Sequence, residues 1–380
     1  MPARPTSVRR DDLDVAVMAA EILELVRCES PSDDPAAVAR SAELVDEIGS
    51  RYLGRRAERI QIDGVTHLRW RFGGPPRVLV LGHHDTVWPI GTLRTHPAQL
   101  HDGVLTGPGC FDMKAGIVMA LHAIAALPSA DGITLLITGD EEPGSTTSRP
   151  LIEAEARGLA AALVLEASGP GGALKTERKG ASLYEVVARG RSAHAGLESE
   201  RGINATIELA HQVLAVAAIG APERGTTVTV TRAEAGSTSN TVPSLARFMV
   251  DVRTSSAAEQ SRVHEEMMAL APRLVGATLE VVGGPTHPPM SRTNSAGLLE
   301  RIRRIAAAME VGSVAAVSVG GVSDGNFTAG VGTPTLDGLG AVGGGAHADD
   351  EHVLVAELVP RTRLLAALLA DLTNEPDPLS

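Results

Sequence analysis

Short, wholly apolar runs bounded by chain breakers recur through the first half of the sequence. Val78–Leu81 follows Pro75 and Pro76 and meets Gly82, and Ile133–Thr138 and Ala162–Leu165 have the same character. Runs this short are not buried helices; flanking breakers and valine predict strands covered on both faces. Between them apolar residues recur at helical spacing over Asp14–Val26, Asp33–Gly49, Met113–Leu127 and Arg149–Arg157, with Ser32 and Asp33 as candidate caps of the second helix. Ile60–Arg71 alternates loosely and predicts a hairpin. Strands alternating with helices predict an α/β domain whose chemistry gathers where the strands end.

From about Gly180 the period changes to two, over SLYEVVARG, TTVTVTRAEAG and ARFMVDVRT, as in half-exposed antiparallel strands. Helices are expected at Asn204–Ala217 and Ala257–Val275, and a last strand at Thr278–Val282 before an exit linker of Gly283, Gly284, Pro285, Pro288 and Pro289. Strand–helix–strand–strand–helix–strand predicts a small α+β sandwich. Beyond it come a helix at Leu298–Met309, a strand at Thr333–Leu336 among glycine-rich loops, and a C-terminal helix within Val353–Leu372. The parse is an α/β domain in two parts, 1–179 and 287–380, interrupted by an inserted α+β domain, 180–286.

Composition narrows the partners. A chain of 380 residues exceeds what one core usually holds. Aromatic residues make up 2% and the formal charge is −12, so neither base-stacking platforms nor phosphate-binding clusters are expected, and no nucleic-acid partner. Cys28 and Cys110 alone make no disulfide framework, the basic opening residues precede no apolar stretch, and no run is long enough to span a bilayer. A cytoplasmic protein with no signal peptide and no membrane partner is the expectation.

Acids and histidines crowd the ends of the apolar strands. His83 and Asp85 follow Val78–Leu81 and share one face of an extended backbone, with His84 on the other. Glu141 and Glu142 follow Ile133–Thr138, Glu166 follows Ala162–Leu165, and Asp112 and His347 lie in glycine-rich loops. Each motif alone is weak. Adjacent carboxylates after a buried strand repel unless a cation or proton sits between them. Together the residues form a mixed N/O donor set suited to Zn²⁺, with one acid to spare for moving a proton. His84 and His352 match no role, and His122, His211 and His264 fall on expected helices. The run GLGAVG matches a dinucleotide fingerprint, but no βαβ unit completes it.

In order and spacing, GHHDTV, GPGCFDMKAG, TGDEEPGS, LVLEASG and GGGAHADDEH resemble the di-zinc amidohydrolase and exopeptidase family that includes glutamate carboxypeptidase, acetylornithine deacetylase, succinyl-diaminopimelate desuccinylase and aminoacylase. The resemblance covers nearly the whole chain. It implies a zinc-hydrolase domain with a central mixed sheet, two Zn²⁺ per subunit (Co²⁺ or Mn²⁺ as substitutes), and ligands His83, Asp112 (bridging), Glu142, Glu166 and His347. Asp85 would orient His83, and Glu141 would be the general base. RSAHAG and GSTSNTVP followed by VDVR resemble the lid and dimerisation domain of that family. There His194 would reach a partner subunit's site to stabilise an oxyanion, while Asn240 and Arg253 would hold the substrate carboxylate, implying a homodimer. The expected activity is metal-assisted hydrolysis of the amide of a small N-acyl or peptidyl amino acid. The GLGAVGGGAH run resembles the carboxypeptidases that release a residue such as glutamate. An N-acyl-amino-acid deacylase is the alternative, and a non-catalytic metal-binding protein of the same fold is the remote one.

Overall fold

The computed structural model describes residues 13–374; residues 1–12 of the opening stretch and the proline-containing end of the tail lie outside them. Two compact units result. One comprises the residues up to Glu177, Arg292–Val319 and those from Ser323 onward, and the other Arg178–Ser291 with Gly320–Val322. The second unit thus starts at Arg178 and ends at Ser291, where the pattern suggested 180 and 286. Arg178 and Met290 exchange backbone hydrogen bonds of 3.0 Å, and the Arg178 guanidinium donates to the carbonyls of Gly321 and Val322. That closing pair lies outside the alternating strands, so periodicity did not mark it.

The first unit is built on a six-stranded sheet of β1 (Glu58–Ile62), β2 (Val65–Arg71), β3 (Val78–His83), β4 (Ile133–Thr138), β5 (Ala161–Val164) and β6 (Thr335–Leu336), in the order β1-β2-β4-β3-β5-β6. β3 runs parallel to β4 and β5, and β2 runs antiparallel to β1 and β4, so the sheet is mixed. Every residue of β3 is buried. Val78 and Val80 enter one core with α1 (Val15–Arg27), α2 (Pro35–Leu53), α3 (Ala115–Ala125) and the C-terminal helix Leu358–Thr373, while Leu79 and Leu81 pack on the other face with Ile152, Ala156 and Phe327. Alternation along a strand covered on both sides produces this division.

Local chemistry moved some boundaries. α2 is capped by Asp34, whose carboxylate accepts from the N–H groups of Ala36 and Ala37, with Pro35 in the first turn. Ser32 and Asp33 are therefore not the caps. Val353 belongs to a short strand, His352–Leu354, and the C-terminal helix starts only at Leu358.

The second unit is an antiparallel sheet in the order Thr227–Ala235, Leu245–Thr254, Gly180–Arg189, Thr278–His287. Helices Ala205–Ala217 and Ala257–Met268 bury Val216, Val263 and Met267 against Tyr184, Val186, Phe248, Val250 and Val252. The second helix stops well before Val275 because Pro272 cannot continue it. The last strand runs through the expected linker to His287; it is an edge strand, and the register shifts between Pro285 and His287, the setting in which a sheet tolerates proline.

Candidate metal centre

The site lies at the C-terminal ends of β3, β4 and β5. His83 closes β3 with its ring fully buried. Its Nδ1 is 3.1 Å from the Asp85 carbonyl and 3.4 Å from Asp85 Oδ1, and its Nε2 is 3.5 Å from Asp112 Oδ1 and 3.4 Å from Glu166 Oε1. His84 points away to the carbonyl of Thr66, and burial pushes its imidazole down to about 4, so it stays neutral. Asp85 does more than face His83. Its Oδ1 accepts from the N–H of Glu141 (3.2 Å), and its Oδ2 from the N–H of Glu142 (3.3 Å) and the hydroxyl of Ser32 (2.7 Å). One buried carboxylate thereby joins the ends of β3 and β4.

Asp112 lies in the tight turn Cys110–Lys114 that leads into α3. Its second oxygen, Oδ2, is 3.3 Å from His347 Nε2, which is 3.2 Å from Glu142 Oε2. Ligand atoms of His83, Glu141 and Glu166 lie within 4.8 Å of one another, as do those of Asp112, Glu142 and His347. Asp112 sends one oxygen towards each histidine and so links the two groups.

The electrostatics follow from packing acids and imidazoles together. Burial disfavours a charged His83, yet the carboxylates of Asp112, Asp85 and Glu166 raise it well above its ordinary value. Asp112 and Glu142 raise His347 to about 10. Burial works against ionised Asp112, but the two imidazoles hold its carboxyl below the usual range. Glu141 is pushed well above its ordinary value, first by burial and then, against the pull of His83, by the neighbouring Glu166, Asp324 and Glu142. An acid so placed takes a proton readily and can pass it on.

The donor set fits a pair of divalent ions. His83 Nε2 and Glu142 Oε1 are buried without a hydrogen-bond partner, although both point into a nest of ligand-type atoms. Orphaned donor and acceptor atoms of this kind are costly unless a ligand engages them.

The residues up to Glu177 and those after Ser323 hold all of these groups; His194, Asn240 and Arg253 belong to the second unit. His194 and Asn240 are exposed on adjoining loops, where the N–H of Ala195 donates to the carbonyl of Asn240 (2.9 Å). Arg253 is elsewhere. It sits near the far end of the strand Leu245–Thr254 and makes a bidentate pair with Asp251, at 2.9 and 2.8 Å. Strand rise puts about 27 Å between Leu245 and Arg253. Asn240 lies in the loop that enters this strand at Leu245, the end opposite Arg253.

Residues 79–371 match the family model described as peptidase family M20/M25/M40. The chain belongs to this family. Among curated relatives, this M20 protein is 29% identical over 306 residues to carboxypeptidase G2 of Pseudomonas sp. (strain RS-16), covering 78% of this chain and 74% of the relative. It is 27% identical over 375 residues to the succinyl-diaminopimelate desuccinylase of Cereibacter sphaeroides (strain ATCC 17029 / ATH 2.4.9), covering 92% and 97%. The fold matches the M20 metallo-carboxypeptidase Sso-CP2 of Sulfolobus solfataricus with a TM-score of 0.75 at 16% identity, covering 93% and 98%. The M20 chain is thus a metallohydrolase of a dinuclear metal-dependent family, with the fold of M20 peptidases. No helix among the described residues is long and apolar enough to cross a membrane.

Sequence reading missed the supports of this M20 site. Lys175 Nζ is 3.8 Å from Glu166 Oε2. Asp324 accepts from Thr138 Oγ1 (3.1 Å) and from the hydroxyl of Ser145, spanning both ends of the loop that carries Glu141 and Glu142; burial pushes its carboxyl up to about 7. Buried Lys114 donates to the carbonyls of Leu25 (3.0 Å) and Cys28 (2.9 Å), tying the Asp112 turn to the end of α1. Glu351 holds that turn from the other side. The stretches GPGCFDMKAG around Lys114 and GGVSDGNF around Asp324 are rich in glycine and carry no signal of these supporting roles.

Proposed function

We propose that this chain hydrolyses the amide bond of an N-acyl or peptidyl amino acid, acting as a carboxypeptidase that releases a C-terminal residue such as glutamate. The observation that carries the reading is Asp112, whose two carboxylate oxygens face His83 and His347 while Glu141 stands beside the first group. His83, Asp112 and Glu166 would hold one ion, and Asp112, Glu142 and His347 the other. The mixed N/O set suits Zn²⁺, with Co²⁺ or Mn²⁺ able to use the same donors. When bound, the ions polarise the scissile carbonyl and acidify water. Glu141 takes the proton from the attacking water and delivers it to the leaving nitrogen. Asp85 keeps the His83 ring in its ligating orientation and fixes both glutamates through their backbone.

His194 would donate to the developing oxyanion from a second copy of the chain, so that the active unit is a homodimer. The placement of Asn240 in the loop before Leu245 and of Arg253 near the other end of that strand supports this: if both hold one substrate carboxylate, they come from different subunits. The deacylase reading is favoured by the desuccinylase similarity, which extends over nearly the full length of both chains. Hydrolysis of a panel pairing N-acetyl, N-succinyl, N-aroyl and N-aminoacyl groups with Glu, Asp, Ala and Arg, with and without Zn²⁺, separates the two. Release of glutamate from bulky donors is the expected result. Preference for small acyl groups would favour the deacylase, and silence across the panel would reject both substrate assignments.

A further inference from the structure

Glu351 is fully buried, follows His347 by four residues and is not one of the ligand-type side chains of the cluster. Its carboxylate is saturated by four donors. Oε1 accepts from the N–H of Phe111 (2.9 Å) and of Asp112 (3.0 Å); Oε2 accepts from the N–H of Gly109 (2.9 Å) and from Trp88 Nε1 (2.8 Å). None of the four carries a charge. A buried carboxylate is tolerable only when its oxygens are engaged in this way, and the donors in turn have no other acceptor at hand. Gly109 is held at φ +73, where an added Cβ would stand 2.5 Å from Thr86 Cγ2, so the loop cannot take its shape with another residue there. On its own side, Glu351 is joined to the His347 turn by the bond from its N–H to Ala348 (3.0 Å), and Ala348 in turn donates to Gly345 (2.9 Å). The strand that follows pairs Val353 with Leu105.

We propose that Glu351 is a positioning residue that locks the Asp112 turn to the His347 turn and thereby sets chiefly the affinity of the metal position formed by Asp112, Glu142 and His347, and less that of the position sharing only Asp112. This rests on the two-metal reading above. The selectivity has a structural reason. Of the groups proposed for the other ion, His83 and Glu166 take their places from the ends of β3 and β5 and only Asp112 is held by Glu351, so that ion loses one positioned ligand where this one loses two. Asp112 and His347 lie in irregular backbone, with His347 at φ +60, and no regular ladder fixes them. The acceptor has to be a carboxylate: a glutamine in the same pose turns an NH₂ group towards two N–H donors.

The test is metal binding by the purified full-length protein, stripped with chelator and titrated with Zn²⁺ against a chromophoric competitor. Wild type is expected to bind two ions. Glu351→Gln is expected to weaken the ion of Asp112, Glu142 and His347 by about 10–100-fold, the range for losing an outer-shell partner of a ligand, and the ion of His83, Asp112 and Glu166 by distinctly less. Trp88→Phe removes one donor of four and is expected to weaken the first of these ions by a few-fold, less than Glu351→Gln because the three backbone donors remain. Unchanged affinity for both ions in Glu351→Gln, or an equal loss at both, overturns the proposal. Should Glu351→Gln not fold, Trp88→Phe decides, and unaltered binding of both ions there overturns it as well. Wild type binding fewer than two ions would instead remove the two-metal reading, and does so before any substitution is compared.

Discussion

At the scale of single residues, the proposed mechanism separates groups that would hold ions from one that would move protons. Glu141→Gln should leave metal content unchanged and lower kcat by about 10²–10⁴-fold, the usual worth of a positioned acid–base group. Metal analysis alongside steady-state kinetics checks it, and a near-normal rate would remove Glu141 from the mechanism. The proton affinities give a second expectation. In metal-free protein Glu141, Asp324, His83 and His347 all bind protons more tightly folded than unfolded. Their contribution to stability is complete at low pH and is lost as pH rises, through about 7 for Asp324 and towards about 10 for His347. Asp112, held low, acts in the opposite sense, but only below the ordinary carboxylate range. Bound metal replaces those protons, so the rise in melting temperature on adding Zn²⁺ should grow between about pH 6 and pH 9. A constant or shrinking rise would contradict the assignment. His83, Asp85, Glu141, Glu142 and Glu166 were legible because each follows an apolar strand. Ser32, Asp324 and Glu351 were not, since their partners lie far away in sequence and nothing in their neighbours' periodicity marks them.

At the scale of elements, the working parts are loops held at both ends by buried carboxylates. Asp324 grips the segment from Thr138 to Ser145, which carries both glutamates. Asp324→Ala leaves two buried hydroxyls without their acceptor and should cost roughly 1–3 kcal/mol in denaturant titration of the metal-loaded protein. An unchanged midpoint would show the loop to be held by other contacts. Strands and helices with strong periods were readable nearly to the residue, as Ile133–Thr138 shows. Their ends were not: capping by Asp34 and termination before Pro272 depend on single side chains. Thr278–His287 outran its reading because edge position, invisible in one sequence, decides whether a proline interrupts a strand.

At the scale of the whole molecule, the M20 chain carries its ligand-type residues in one unit and His194 and Asn240 in the other. On the homodimer proposal, His194→Ala should lower kcat strongly while the fold and the oligomeric state stay as in wild type. If His194 serves the partner, mixing His194→Ala with Glu141→Gln should recover activity that neither has alone, because one site of each mixed dimer is complete. Absence of recovery would place His194 in its own chain's site or in a purely structural role. The switch from buried strands to period-two strands announced a second unit, but the closure of that unit by Arg178 and Met290 rests on a backbone pairing that no pattern records.

The order of the ligands along the chain carries a consequence for biosynthesis. His83, Asp112, Glu141, Glu142 and Glu166 leave the ribosome long before His347 and Glu351. A nascent chain can therefore gather most of an ion-binding nest yet cannot finish it until its last segment has emerged and docked. Only the position that uses His347 waits for the completed molecule, and a fragment truncated before Gly343 should bind at most one Zn²⁺ where the full chain is expected to bind two.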